Sequence, residues 1–121
     1  MVYKIGNAEK IPFRRKFDIL FYPSSWHFIN NFSKAMGQAK RVLKDNGIIA
    51  ILEPSNNSGW ADPRLRKDSP KFDKKLFYRK IKSLERGRNA ILSQKKFQIL
   101  EDEFNFKKKF RFYILKSNKK P

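Results

Sequence analysis

The hydrophobic residues of the chain fall into short runs whose spacing alternates between that of strands and that of helices. Five runs are typical of strands: Val2–Ile5, Phe17–Tyr22, Ile48–Leu52, Phe97–Phe104 and Lys109–Lys116. Two longer segments, from Asn31 to Lys44 and from about Phe72 to Arg86, carry apolar residues at helical spacing. The predicted order is therefore β, β, α, β, α, β, β.

Turn-forming residues mark the ends of the two predicted helices. Asn30 or Asn31 can cap the first helix with a side-chain oxygen. The stretch "DNG" ends that helix, and Gly47 is free to take the left-handed conformation. Gly87 is expected to end the second helix in the same way.

The third strand and the last two strands predict how the sheet is built. The run Ile48–Leu52 is apolar at every position, which is typical of a parallel strand covered by helices on both faces. The last two strands are separated by too few residues for a crossover helix, so they should form an antiparallel hairpin. The fold class is therefore α/β, one domain spanning residues 1–121, with parallel strands, flanking helices and a carboxyl-terminal antiparallel hairpin.

Composition excludes several kinds of site and location. With no cysteine and one histidine, the chain has no disulfide, no thiolate nucleophile and no cysteine- or histidine-rich metal site. From the charges among the first residues we expect no secretory leader, and the longest uncharged run, Ile19 to Ser33, is broken by a proline and polar residues. We expect a soluble cytoplasmic protein that does not enter a membrane.

The net charge of +18 allows two interpretations. A basic surface binds nucleic-acid phosphates, and the positive charge is concentrated between Arg64 and Lys96, with thirteen basic and three acidic residues. The joint abundance of lysine, asparagine, isoleucine and phenylalanine is also what an AT-rich coding sequence produces. Nucleic-acid binding through Arg64 to Lys96 therefore remains a hypothesis.

Three sequence blocks, in order, resemble class I S-adenosylmethionine-dependent methyltransferases. They are "GNAEKIPF", "FDILFYPSSWHF" and "AKRVLKDNGIIAILEP", and they are similar to the type 11 group that includes the ubiquinone and menaquinone biosynthesis enzymes. The likeness extends through the closing hairpin and implies a partial Rossmann-like sheet with S-adenosylmethionine as cofactor. In that family the ligands bind beyond the carboxyl ends of the parallel strands.

The resemblance also has gaps. The family holds its cofactor through a glycine-rich loop, and the five glycines of this sequence form no such loop. Asn7 stands where the adenine-binding aspartate is usual. We therefore expect the sequence to correspond to the carboxyl-terminal portion of the domain, without the amino-terminal cofactor-binding strands.

The resemblance implies a role for individual residues at the strand ends. Asn7 and the backbone of Ala8 would bond the adenine edge, and Tyr22 and Pro23 would line the methionine end of the cofactor. The residues implied on the side of the methyl acceptor are Ser24, Ser25, Trp26, His27, Glu53 and Trp60.

Three of these residues have a purely structural alternative. His27 is the candidate catalytic base, but it would equally help Trp26 cover the end of the sheet. Glu53 either binds substrate or, with the proline after it, terminates its strand. Trp60 either closes over the substrate or anchors its own loop.

Two functional classes follow. The chain is an S-adenosylmethionine-dependent methyltransferase, or the carboxyl-terminal part of one, acting on an unidentified acceptor. Alternatively, it is a non-catalytic methyltransferase-like subunit or relic that binds RNA, DNA or a partner chain through a basic surface. In either class an open strand edge predicts a homodimer or a partner chain that completes the sheet.

Overall fold

The structure, a computed structural model, describes residues 8–14, 16–23, 25–54, 62–105 and 110–117. The predicted strand Val2–Ile5 and the candidate site residues Asn7, Ser24 and Trp60 lie outside these ranges. The helices and strands are β1 (Phe17–Pro23), α1 (Phe32–Val42), β2 (Leu43–Pro54), α2 (Lys74–Ser93), β3 (Phe97–Asn105) and β4 (Phe110–Ser117). Two short 3₁₀ turns, Trp26–Phe28 and Pro63–Leu65, join them.

The four strands form one mixed sheet in the order β1-β2-β4-β3. Strand β1 runs parallel to β2, and α1 connects the two as a crossover. Strand β4 runs antiparallel to both β2 and β3. The predicted α/β class, the parallel pair and the closing hairpin are confirmed.

Helix α1 forms where its spacing predicted it. The side chain of Asn31 caps it by accepting a hydrogen bond from the Lys34 backbone N–H at 3.0 Å. Its apolar residues, together with those of α2, pack on one face of the sheet. The buried cluster contains Trp26, Ile29, Ala35, Met36, Ala39, Leu43, Ile49, Ile51, Ile91, Phe97, Tyr113 and Leu115.

The stretch "DNG" does not form the predicted turn at the end of α1; it lies within β2, which begins at Leu43, where the pairing with β1 shifts register. Asn46, with φ of 65°, takes the left-handed conformation, and Gly47 does not. A Cβ on Gly47 would lie 2.8 Å from the Lys44 carbonyl oxygen and 3.0 Å from Cδ2 of Leu43. The glycine is therefore needed because the backbone and Leu43 leave no room for a side chain, and not for its φ angle.

Helix α2 is longer than the sequence indicated. Gly87 does not end it; the helix continues through this glycine to Ser93, and Gly87 is buried. A Cβ at Gly87 would lie 3.1 Å from Cδ1 of Trp26, so the missing side chain allows α2 to lie against the indole. Among the described residues, no helix is both long enough and apolar enough to cross a membrane.

Candidate active site

The carboxyl ends of β1 and β2 lie side by side because the two strands are parallel and adjacent. Strand β1 ends at Pro23, and the 3₁₀ turn Trp26–Phe28 follows it. Strand β2 ends with Glu53 and Pro54. The register therefore brings His27 next to Glu53, 26 positions further along the chain.

Trp26 fixes the turn that carries the histidine. Its side chain is fully buried, and its Nε1 donates a hydrogen bond to the Gly87 carbonyl oxygen at 3.0 Å. Tyr22 packs edge-on against the indole, with ring centroids 5.3 Å apart. Because Trp26 is held by both α2 and β1, the backbone of the next residue has a fixed position.

His27 and Glu53 form a buried pair, with exposed fractions of 2% and 5%. The Nδ1 of His27 shares a short hydrogen bond with Oε2 of Glu53. The backbone N–H of His27 also donates to Oε1 of Glu53 at 3.3 Å. One carboxylate thus holds both the backbone and the ring of the histidine.

The other ring nitrogen of His27 is left without a bond. Nε2 is buried and has no hydrogen-bond partner among the described residues. A carboxylate on Nδ1 favours the tautomer with the proton there, which leaves the lone pair on Nε2. This arrangement, a histidine oriented by a carboxylate, is the one that general bases use.

A lysine of α2 lies close to the pair. The Nζ of Lys80 sits 4.1 Å from the centroid of the Phe28 ring, which itself packs against His27. Burial lowers the pKa of Lys80, and the charge of Glu53 partly opposes this effect. The ammonium group of Lys80 therefore lies over the Phe28 ring, next to the His27–Glu53 pair.

Glu53 also borders a cavity of about 180 Å³ between α2 and the end of the sheet. Its lining residues are Trp26, Glu53, Pro54, Ile81, Leu84, Glu85, Arg88, Phe104, Arg111 and Tyr113. The helix contributes residues one and two turns apart on its inner face, and the strands contribute the ends of β2, β3 and β4. The cavity therefore lies at the carboxyl end of β2, where it is lined by Glu53 of the pair and not by His27.

An arginine–aspartate cluster forms the far side of the cavity. Asp102 accepts hydrogen bonds from Arg88 at 2.9 Å and from Arg111 at 2.7 Å. Burial alone would raise the pKa of Asp102, but these two bonds outweigh it and hold the pKa below its ordinary value. The Arg111 guanidinium also lies 4.3 Å from the centroid of the Phe104 ring.

The remaining predicted site residues are more scattered. Ala8 and Tyr22 pack against the core, and burial raises the pKa of the Tyr22 hydroxyl to about 12. Pro23 and Ser25 are exposed. The structure thus brings Trp26, His27 and Glu53 together and leaves Pro23 and Ser25 at the surface beside them.

Sequence reasoning did not find the cavity residues of α2 and the hairpin. The signal present was the spacing of Ile81, Leu84 and Arg88, which places an arginine on the inner face of an amphipathic helix. A partly buried arginine on such a face needs an acceptor for its hydrogen bonds. Asp102 is that acceptor, but only the strand register shows it.

Comparison with known proteins adds a family likeness for the first part of the chain. A family model described as "Methyltransferase domain" matches residues 1–51, which include β1, the Trp26–Phe28 turn, α1 and most of β2. No curated protein matches the chain. The match covers the histidine of the pair and stops two residues before Glu53.

Solved structures resemble nearly the whole chain. The cyclase SpnF has a TM-score of 0.57 at 13% identity over 95% of this chain and 55% of its own. A protein of Sulfolobus solfataricus named as a type 11 methyltransferase has a TM-score of 0.55 at 19% identity, over 96% and 58%. A Thermotoga maritima protein named as an S-adenosylmethionine-dependent methyltransferase has a TM-score of 0.54 at 17% identity, over 93% and 62%.

These likenesses concern the fold. The chain spans little more than half the length of the solved structures it resembles. One of the three is named a cyclase, so the fold alone does not fix the reaction. The chain has the α/β fold seen in methyltransferases, and its first 51 residues are similar to a methyltransferase domain.

Proposed function

We propose that the chain is an S-adenosylmethionine-dependent methyltransferase, or the carboxyl-terminal part of one. The observation that carries the proposal is the His27–Glu53 pair at the joint carboxyl ends of two parallel strands, in a chain whose first 51 residues match a methyltransferase domain. Ligands of open α/β sheets bind at such strand ends.

The described residues fit one side of such a cofactor. Tyr22 supplies an aromatic wall at the end of β1, and Pro23 and Ser25 are accessible next to it. The unbonded Nε2 of His27 is a buried acceptor at the same end of the sheet. Tyr22 and Pro23 would hold the methionine end of the cofactor, and Asn7 and Ala8 the adenine.

When bound, the cofactor supplies a methyl group attached to a positively charged sulfur. The residues of the chain position the acceptor and remove its proton. His27 takes that proton on Nε2, and Glu53 stabilises the imidazolium that forms. The acceptor would be bordered by Ser25 and Trp26. Ser24 and Trp60, which lie outside the described residues, are proposed to border it as well.

Calorimetry with S-adenosylmethionine tests the proposal directly. We expect saturable binding that is weakened by Tyr22→Ala and unchanged by His27→Gln, because only the first is proposed to contact the cofactor. Asp45→Asn, an exposed change near the start of β2, is the matched control. Absence of binding at millimolar cofactor would contradict the proposal that this chain binds the cofactor by itself.

A second function is favoured by the outer face of α2. Lys75, Arg79 and Lys82 lie on successive turns and are exposed, and Tyr78 beside them is half exposed. Exposed cations next to an aromatic ring suit single-stranded nucleic acid. This is the alternative of a non-catalytic subunit that binds RNA or DNA within Arg64 to Lys96.

The salt dependence of RNA binding tests this alternative. If several phosphates are contacted, affinity for an unstructured RNA should fall about tenfold or more between low and moderate salt. Replacing Lys75, Arg79 and Lys82 with glutamine should reduce both the affinity and its salt slope. RNA binding that does not change with salt would exclude the nucleic-acid-binding alternative.

A further inference from the structure

The cavity between α2 and the sheet has the volume and the lining of a site for one aromatic ring. Three aromatic side chains line it, Trp26, Phe104 and Tyr113, together with aliphatic residues of α2. Its volume of about 180 Å³ is below the usual range for drug-sized ligands, which is roughly 300–1,000 Å³. A single ring with a short substituent would fill it.

The charges around the cavity favour a cation, in contrast to the rest of the chain. The net charge of the chain is +18, yet two carboxylates, Glu53 and Glu85, border this cavity. Arg88 and Arg111 line it too, and both bind Asp102, so three carboxylates stand against two guanidiniums around the cavity. Lys80, which interacts with Glu53, is directed over the Phe28 ring and is not among the lining residues.

Glu53 has hydrogen-bonding capacity that His27 does not use. The ring and the backbone of His27 supply one donor to each carboxylate oxygen. A carboxylate accepts about four hydrogen bonds, and a buried one gains from each further donor. An ammonium group has three donors and is also attracted to the faces of aromatic rings.

We propose that this cavity binds a small aromatic amine in its ammonium form, with the ring among Trp26, Phe104 and Tyr113 and the ammonium group on Glu53. The binding site itself does not depend on the proposed methyl transfer.

Three probes of equal size separate the ligand classes. Binding of benzylamine, benzyl alcohol and benzoate to the full chain is measured by ligand-detected NMR and calorimetry at moderate salt, without cofactor. We expect benzylamine to bind about tenfold more tightly than benzyl alcohol, because its ammonium group adds a charge attraction to Glu53 that a hydroxyl group lacks. Benzoate should bind most weakly, although the net charge of the chain favours anions.

Glu53→Gln tests the residue that carries the preference. It keeps the size of the side chain, and we expect it to make benzylamine and benzyl alcohol equal. If this variant does not fold, as judged by circular dichroism, Phe104→Ala serves instead, since Phe104 is 44% exposed and its truncation should reduce benzylamine affinity without unfolding the chain. Asp45→Asn is the control that should change neither affinity.

The outcomes separate this inference from the proposed function. Benzoate binding as tightly as benzylamine, an unchanged preference in Glu53→Gln, or no probe bound at millimolar concentration would overturn it. Benzylamine binding in a chain that does not bind S-adenosylmethionine would keep the amine site and contradict only the proposed function.

Discussion

The two faces of the sheet differ far more in exposure than in hydrophobicity. On one face Ile49, Ile51 and Leu115 are completely buried under α1 and α2. On the other, Ile19 and Phe21 of β1 are 62% and 57% exposed. Alternate residues of the same strands point to opposite faces, so the chain presents apolar side chains on both but covers only one with its described helices.

The two edge strands of the described sheet also differ, one carrying exposed charges and the other exposed apolar side chains. Strand β3 places the exposed carboxylates of Glu101 and Glu103 on the open face, and its pairing shifts register between Ile99 and Glu101. Charges and irregular pairing protect an edge strand from adding another strand. Among the described strands, β1 lies at the opposite edge and presents Ile19 and Phe21, so the difference indicates where a further element would join.

The largest loss of stability is expected when a side chain on the covered face of the sheet is shortened. Ile51→Ala should lower the free energy of unfolding by about 2–5 kcal/mol, because it removes buried contacts and leaves a cavity. Ile19→Ala, the same change on the open face, should stay within about 0.5 kcal/mol. Urea denaturation at low protein concentration measures both. Equal losses would mean that the open face is covered in solution.

The arginine–aspartate cluster on the covered side should make stability depend on acid. The folded-state pKa of Asp102 is depressed, so its contribution is complete above the unfolded value near 4 and is lost as pH falls through the lower folded value. Asp102→Asn should cost about 1–3 kcal/mol at neutral pH.

The pH profile of unfolding checks the sign of this effect. The difference in unfolding free energy between the wild type and Asp102→Asn should shrink as pH falls below about 4. Asp18→Asn is the control, since Asp18 is on β1 with an 81% exposed side chain. A difference that stays constant down to strong acid would show that the ionised carboxylate is not what stabilises the cluster.

The open face and its edge should drive association. We propose that a second copy of the chain pairs with β1 and covers Ile19 and Phe21, as an exposed apolar edge strand favours. Phe21→Lys should weaken the dimer about tenfold or more, since it removes apolar burial and brings two like charges together. Glu101→Gln, on the open face at the opposite edge, should not.

Light scattering over a range of concentrations measures the association. A wild-type chain that remains monomeric throughout contradicts the homodimer. Complex formation with a different chain, which Phe21→Lys abolishes, would assign the same edge to a heterologous partner.

The sequence predicted the features that depend on neighbouring residues. Helix α1 and its Asn31 cap, the strand Ile48–Leu52 and the closing hairpin all follow from local spacing and turn chemistry. It could not predict the His27–Glu53 bond, because only the register of β1 on β2 brings residues 26 positions apart together. Likewise, Gly87 is typical of a helix end until Trp26 is seen to occupy the space of its side chain.

The smallest change in stability is expected from replacing a glycine with alanine in one of the helices that cover the sheet. A Cβ on Gly37 of α1 would meet only the Nζ of Lys96, at 3.6 Å, so Gly37→Ala should stabilise the chain by about 0.5–1 kcal/mol through helix propensity. Gly87→Ala offers the same gain but sets a Cβ 3.1 Å from Trp26 Cδ1 and 3.5 Å from the His27 Cα.

Because Trp26 is fully buried and bonded to the Gly87 carbonyl, it cannot move away without loss. We therefore expect Gly87→Ala to melt at a lower temperature than Gly37→Ala, and the difference reports how tightly α2 holds the turn that carries His27. Equal melting temperatures would mean that this turn yields to an added methyl group, and the fixed position of the histidine would then have to come from Glu53 alone.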